Sequence, residues 1–377
     1  MIVNRMRGHF RWTAVLLLLS VVVGCLGSAE SIQGDNSLST LRQQVILTLT
    51  RQGRLTAEVR QQIFKADSYQ ALQTLISGLD TDYLKQIPVD GKLCMDKLEE
   101  LVALGGRVSG SPGMEKQRTI LTKYFQSHGG RILTQTFQAR NPIASAPVET
   151  VKMTNLIVQW HPERKKRVLI CAHYDTRPFP DNDPDRSKRK GLFVGANDGA
   201  SGVAVLCGLA PHMKKLSGTH GVDFVLFDGE ELVYDSQRDP FFLGSTHFAR
   251  EYVAQAPPHR YVSGILLDMV GDADLQIYQE INSRKHAPQV VQQVWATARR
   301  LGVQEFHSQA RHEVRDDHLP LNEIARIPTI DIIDFDYPSP RRRETYWHTT
   351  QDTADKCSPV SLAHVGWVTL EWLKSLR

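Results

Sequence analysis

Phe224-Val225-Leu226-Phe227-Asp228-Gly229-Glu230-Glu231 is the run that decides how this chain is read. Four consecutive apolar residues indicate a strand buried on both faces, the signature of a parallel sheet. Gly229 permits a sharp turn at the end of that strand. Two adjacent carboxylates follow. Neighbouring side chains on extended backbone point to opposite sides, so Glu230 and Glu231 cannot share one task. One can ligate a metal while the other faces a substrate or a water. Alone, such a pair reads as a solvated acidic turn. Its setting in the chain changes that reading.

Further out, other apolar runs end in the same way. Residues 167–172 predict a buried strand with His173-Tyr174-Asp175 at its C-terminal end, and 264–267 predict another ended by Asp268. Residues 132–137, 154–159 and 327–333 read as further strands. Helical patterns fall over 98–104, 114–127, 203–216, 288–301 and 361–376, with one more beginning near Gly244-Ser245. Pro211 predicts a kink or a break in the 203–216 helix. Loops are expected at 107–113, 178–191, 232–242 and 338–343. This alternation predicts an α/β fold, a mostly parallel twisted sheet flanked by helices on both faces. In such sheets ligands bind beyond the C-terminal ends of the strands, where His173, Glu230, Glu231 and Asp268 all fall.

The 377 residues divide into three parts on this reading. Residues 1–24 carry Arg5, Arg7 and Arg11, then an apolar run too short to span a membrane, and read as a signal peptide. Cys25 after Gly24 fits a lipoprotein cleavage box, the alternative being an ordinary secretory signal cut nearby. Residues 25–94 form a polar tether and a helical prelude over 38–84. Residues 95–377 form the catalytic domain. The formal charge of +4 falls to about +1 once those three arginines are removed, which gives no reason to expect nucleic acid as a partner. No pair among Cys94, Cys171, Cys207 and Cys357 has zinc-ribbon or thioredoxin spacing. Cys171 and Cys207 read as core residues. A Cys94–Cys357 disulfide stays open for an exported chain.

The residues available for chemistry are His173, Asp198, Glu230, Glu231, Asp268, Asp316, Asp317, His318 and His348. Histidines with several carboxylates and no cysteine are the donors of a catalytic rather than a structural zinc site. Asp198 precedes Gly199-Ala200-Ser201-Gly202, small residues that let backbone pack close behind it. Asp268 follows Leu266-Leu267 and is costly to bury without a cation or a hydrogen-bond partner. Each has an ordinary reading too: Asp198 as a helix cap, Asp268 as a turn cap, His348 as a surface histidine. Their shared placement at the strand ends of one sheet favours a site.

The motifs His173-Tyr174-Asp175-Thr176, Asn197-Asp198-Gly199-Ala200-Ser201-Gly202, Asp228-Gly229-Glu230-Glu231, Leu243-Gly244-Ser245 and Trp347-His348-Thr349-Thr350-Gln351-Asp352 resemble, in that order, the M28 zinc peptidase clan. Phe193-Val194-Gly195-Ala196, the long 232–242 loop, Leu266-Leu267-Asp268-Met269-Val270-Gly271 and Asp316-Asp317-His318-Leu319-Pro320 are similar to animal-type glutaminyl-peptide cyclotransferases within it. The resemblance implies a zinc-exopeptidase-like fold. It implies one zinc held by Asp198, Glu231 and His348, with Glu230 as proton shuttle. Asp268 and Asp316 would be a hydrogen-bonded carboxylate pair, and Trp347 a pocket wall. The implied reaction converts N-terminal Gln of peptides or proteins to pyroglutamate and releases ammonia. The alternative within the clan is an aminopeptidase, with a second metal on His173 and Asp268, Asp198 bridging and Glu230 activating water. A third class, an inert module on the same fold, is disfavoured because every ligand position is filled. The chain departs from the cyclases at Gly199-Ala200-Ser201-Gly202, at Ser236 where their loop carries a pocket tryptophan, and in a longer 318–348 stretch holding Arg341-Arg342-Arg343.

The expected mature chain starts at a lipid-modified Cys25, tethered to a membrane by the lipid alone. Intact-mass analysis of the membrane fraction checks this. An unmodified chain still carrying residues 1–24 would refute it.

Overall fold

A computed structural model of the chain describes residues 38–142, 149–235, 237–336 and 345–376. The proposed signal and tether, Ser236 and Arg341-Arg342-Arg343 lie outside the described residues. The chain forms two compact units that divide between Gln86 and Ile87.

The first unit holds the helices Leu38–Arg51, Ala57–Lys65 and Tyr69–Leu84. Leu41, Val45 and Leu49 recur every four residues, line one helix face, and pack with Ile63 and Leu72. Thr56 and Ser68 cap the second and third helices by accepting the amides of Val59 and Ala71. No helix among the described residues is long and apolar enough to cross a membrane.

The second unit is built on a six-stranded sheet: β1 (Arg131–Arg140), β2 (Thr150–Trp160), β3 (Lys166–His173), β4 (Gly221–Phe227), β5 (Arg260–Asp268) and β8 (Thr329–Ile333). Its order is β1-β2-β4-β3-β5-β8. β2 is antiparallel to both of its neighbours, whereas β4, β3, β5 and β8 pair in parallel. Period-two alternation sorts the strand residues onto two faces. Val168, Ile170, Ala172, Phe224 and Leu226 enter one core with the helices Gly91–Val102, Ser201–Met213 and Pro359–Ser375. Leu169, Cys171, Val225 and Phe227 enter the other, against Phe248 and Ala249 of the helix Leu243–Gln255. Helices thus cover both faces, and the C-terminal ends of four parallel strands share one edge.

Three local outcomes differ from the sequence reading. The helix Ser201–Met213 runs through Pro211. The proline cannot donate to the carbonyl of Cys207, and Tyr124 Oη donates to it instead at 2.9 Å, so no break is needed. A two-stranded parallel ribbon, β6 (Ile277–Gln279) with β7 (Phe306–Ala310), and the short helices Ile281–His286 and His318–Glu323 had no period in the sequence long enough to show them. Cys94, Cys171, Cys207 and Cys357 are all buried free thiols, so a Cys94–Cys357 disulfide is not formed. Cys94 instead packs under Gly208, where an added Cβ would lie 2.3 Å from its sulfur.

Away from the site, Arg167 and Asp223 pair on adjacent strands and are both buried. Tyr261 also donates to Asp223. Asp223→Ala would strand a buried guanidinium, and about 3–5 kcal/mol of stability should be lost. Denaturant unfolding read by circular dichroism measures it.

Candidate metal centre

Strand register does most of the placing. β3 and β5 align Cys171 with Leu266, so the next outward residues, His173 and Asp268, stand side by side. His173 Nε2 lies 3.1 Å from Asp268 Oδ1. β3 and β4 align His173 with Phe227, which brings the turn at Gly229 (φ 82°) and the two glutamates alongside. Asp198 sits in an irregular turn before the helix Ser201–Met213. Gly199 there has φ 96°, and an added Cβ would come within 2.6 Å of the Asp175 carbonyl. Gly202 lies against β5, where a Cβ would meet the Leu267 carbonyl at 2.2 Å. The small residues after Asp198 therefore let its turn press onto the ends of β3 and β5.

Asp198 joins two groups of donors. Asp198, Glu231 and His348 offer ligand atoms within 4.8 Å of one another, and so do His173, Asp198 and Asp268. His348 Nε2 is 3.2 Å from Asp198 Oδ2 and 3.2 Å from Glu231 Oε1. His348 Nε2 and Asp198 Oδ2 are nonetheless buried without a hydrogen-bond partner. Two carboxylates and an imidazole that converge this closely without bonding one another fit a metal ion. Electrostatics agree. Burial disfavours charge on His348, yet Glu231 and Asp198 raise its imidazole to about 9. Burial likewise opposes charge on Asp198, but His173 and His348 hold it well below the usual carboxylate range. The field at the meeting point favours a cation.

Glu230 lies in neither group. Burial first, then the charge of Glu231, pushes its carboxyl well above the usual range. Glu231 goes the other way, lowered by His348 and Arg177 against the effect of burial. Asp316 is buried, and burial together with the charge of Asp268 raises its carboxyl well above the usual range. Register gives Asp268 to His173, and Asp316 Oδ1 accepts the amide of Asp317 at 2.5 Å. Asp317 takes the hydroxyl of Ser245 at 2.5 Å. His318 is buried, 3.4 Å from Glu280 and 3.8 Å from Asp331, and belongs to neither donor group. Trp347 tilts against the His348 ring, with centroids 4.1 Å apart. His348 itself has φ 55°, a conformation that costs a non-glycine residue about 1–3 kcal/mol and is tolerated where surroundings enforce it.

Several supporting residues carried no assignment from sequence. Asp175 accepts the amides of both Glu230 and Glu231, at 3.2 and 3.0 Å. Asp352 accepts those of Asn197 and Asp198, at 2.8 and 3.0 Å. Arg177 bridges Glu231 and Asp181. The 178–191 loop anchors the His348 segment, with Asn182 N donating to the His348 carbonyl and Asp183 accepting from Thr350. Asp175 and Asp352 stand two and four residues after a site histidine, and that spacing was their available signal.

The pattern that describes Peptidase family M28 matches residues 155–373. A mouse protein named glutaminyl-peptide cyclotransferase-like is 23% identical over 238 residues, which are 57% of this chain and 58% of that one, so less than two thirds of it is spanned. A glutaminyl cyclase from Fimbriiglobus ruber superposes with a TM-score of 0.72 at 38% identity, covering 77% of this chain and 96% of that one. A leucine aminopeptidase precursor from Bacteroides thetaiotaomicron superposes with 0.69 at 30% identity, covering 77% and 98%.

Removing Asp352, which aligns Asp198 from behind, should weaken metal affinity about 10–100-fold. Asp352→Ala is titrated with zinc against a competing chelator. His348→Ala, which deletes a donor outright, should retain no metal by mass spectrometry.

Proposed function

The chain belongs to Peptidase family M28, and we propose that within it the chain is a zinc-dependent glutaminyl-peptide cyclotransferase acting on N-terminal Gln of peptides and proteins. The observation that carries this reading is the contrast between the two donor groups. Asp198 Oδ2 and His348 Nε2 have no partner in the protein, whereas His173 Nε2 is already matched by Asp268 at 3.1 Å. In the first group the facing donor atoms are left unbonded, whereas in the second His173 Nε2 is bonded to Asp268 although His173 Nδ1 is buried without a partner, and that contrast supports one zinc on Asp198, Glu231 and His348. Cyclisation needs one metal and no external water. The similarity to the Fimbriiglobus ruber cyclase supports the same reading.

Bound there, zinc would supply Lewis-acid polarisation of the substrate's side-chain amide carbonyl. The protein residues do the rest. The substrate's α-amine attacks the side-chain amide carbon, a new C–N bond closes the ring, and the original C–N bond breaks to release ammonia. Glu230 takes the proton from the amine and delivers it to the departing nitrogen, a role worth about 10²–10⁴-fold in typical enzymes. Its raised proton affinity suits both halves of that task. Asp316 keeps a proton because burial and Asp268 disfavour a second charge, and it donates toward the reacting end of the pocket. Trp347 narrows the pocket around one flat side chain. Export, with a lipid at Cys25, belongs to this reading and would present the site to peptides outside the cytoplasm.

The second reading, an aminopeptidase, is favoured by the His173, Asp198 and Asp268 group and by the leucine aminopeptidase neighbour. It requires Asp268 and His173 to exchange each other for a second metal.

Purified protein given a Gln-initiated and a Leu-initiated peptide should release ammonia from the first, with about one zinc per chain. Free leucine, with about two metals per chain as in paired-metal hydrolases, would establish the aminopeptidase instead. Glu230→Gln should keep its metal and lose most turnover, because base and ligand are separable.

A further inference from the structure

His318 is a buried imidazole that neither donor group takes up. Both of its ring nitrogens are buried without a hydrogen-bond partner. Nε2 faces Glu280 Oε2 at 3.4 Å, and Nδ1 faces Asp331 Oδ2 at 3.8 Å. All three side chains are sealed from solvent. Burying polar groups in this way is costly unless they compensate one another, so the arrangement calls for a use.

The two acids differ in kind. Glu280 is an anchored anion: Oε1 accepts the amides of Asn282 and Val314 at 2.8 and 3.0 Å, and Oε2 accepts that of Ser283 at 2.5 Å. Burial opposes its charge, yet His318 and the amides of Asn282 and Ser283 hold it down at about 2. Asp331 projects from β8, and both of its carboxyl oxygens are buried without a partner. Burial first, then the charges of Asp316 and Glu280, push its carboxyl well above the usual range. His318 thus has a fixed anion on one side and an acid that keeps its proton on the other.

What the ring holds in place follows from the chain. His318 opens the helix His318–Glu323 and comes two residues after Asp316. The Leu319 amide donates to the Asp316 carbonyl at 2.9 Å, and the Asp317 amide donates to Asp316 Oδ1 at 2.5 Å. Asn322 ties the same helix to β8, donating to the carbonyls of His318 and Thr329 at 2.9 and 2.8 Å and accepting the Thr329 amide at 3.1 Å. A displaced His318 ring would therefore displace the turn that carries Asp316.

We propose that His318, held between Glu280 and Asp331, is a positioning residue that sets where the Asp316 carboxyl stands beside the metal centre. The proposal rests on the reading that Asp316 serves the reaction. Sealed from solvent, His318 cannot meet a substrate, and it acts through Asp316.

A double-mutant cycle tests this, with zinc-loaded enzyme and both Gln-initiated and Leu-initiated peptides. His318→Gln keeps a planar polar side chain facing Glu280. Alone it should lower kcat about 10-fold with KM little changed, and in an Asp316→Asn background it should cost less than about 2-fold, a coupling in the range of residues that act as one unit. Equal losses in both backgrounds would make His318 a structural residue only and overturn the proposal. Asp331→Asn keeps the shape of the acid facing Nδ1. It should show the same coupling, and it carries the cycle if His318→Gln does not fold. Zinc per chain should be unchanged in every variant, and its loss in His318→Gln would move the effect to the metal and overturn the proposal. The product, ammonia or free leucine, reports which reaction runs, and the cycle reports the coupling in either. If Asp316→Asn alone spares turnover, the role given to Asp316 fails, and a spectroscopic readout then decides the positioning. Infrared difference spectra of each background with and without Asp316→Asn isolate the Asp316 carboxyl band, which should shift with His318→Gln. A band unmoved by both His318→Gln and Asp331→Asn would overturn the proposal.

Discussion

One carboxylate, Asp198, faces both histidines at the strand ends, and the surrounding structure serves to hold it there in its charged form. Its own amide and that of Asn197 donate to Asp352. Its turn is drawn in by Arg107, a buried guanidinium that donates to the carbonyls of Val194 and Gly195. The amide of Arg107 donates in turn to Thr176, just past the end of β3. Burying a carboxylate this deeply costs several kcal/mol unless opposite charge is near. Asp175, Asp228, Glu230, Glu231, Asp268 and Asp316 are buried in the same region. Arg107, Arg177 and two histidines cannot offset so many acids. A divalent cation at the His348 end would offset part of that charge, and backbone amides and retained protons offset more.

The same crowding separates the two glutamates. Asp175 accepts both of their amides, so their backbone is fixed as one unit. Their side chains then diverge, as neighbours on extended chain must. Glu231 turns to His348 and Arg177 and is held as an anion. Glu230 turns away from those cations and binds its proton more tightly. Two identical side chains on adjacent residues are thus pushed in opposite directions, one toward the anion and one toward the acid, by the company each keeps.

Much of this was legible in the sequence, because strands buried on both faces announce themselves as apolar runs and the site hangs from their ends. The run 224–227 and the Gly229 turn located Glu230 and Glu231. The small residues after Asp198 foretold a close backbone approach, which Gly199 and Gly202 make against Asp175 and Leu267. What stayed hidden depends on contacts between distant segments. Tyr124 rescues the helix at Pro211 through a carbonyl that no local pattern singles out. β6 has three residues and β7 five, too short for any period to emerge. Motif similarity paired Asp268 with Asp316; the histidine that sheet register also sets beside it shows in no single segment.

That last difference bears on which reaction the site runs. Metal donors alone do not separate a cyclase from an aminopeptidase, since Asp198, Glu231 and His348 serve both. The deciding residue is Asp268, and its choice lies between His173, a metal and Asp316. β3 and β5 are neighbours in the middle of the sheet, so the approach of His173 to Asp268 is set by a ladder of backbone bonds that no ligand rearranges cheaply. The His173 and Asp268 donors, 3.1 Å apart, are spaced like the 3.2 Å pairs of the His348 group, so spacing alone does not set the metal count. Asp316, close enough to raise its own proton affinity through Asp268, adds a further acid whose charge a second cation would have to draw out. The sheet thus fixes where Asp268 stands, and whether a cation comes between it and His173 is what would separate the two reactions.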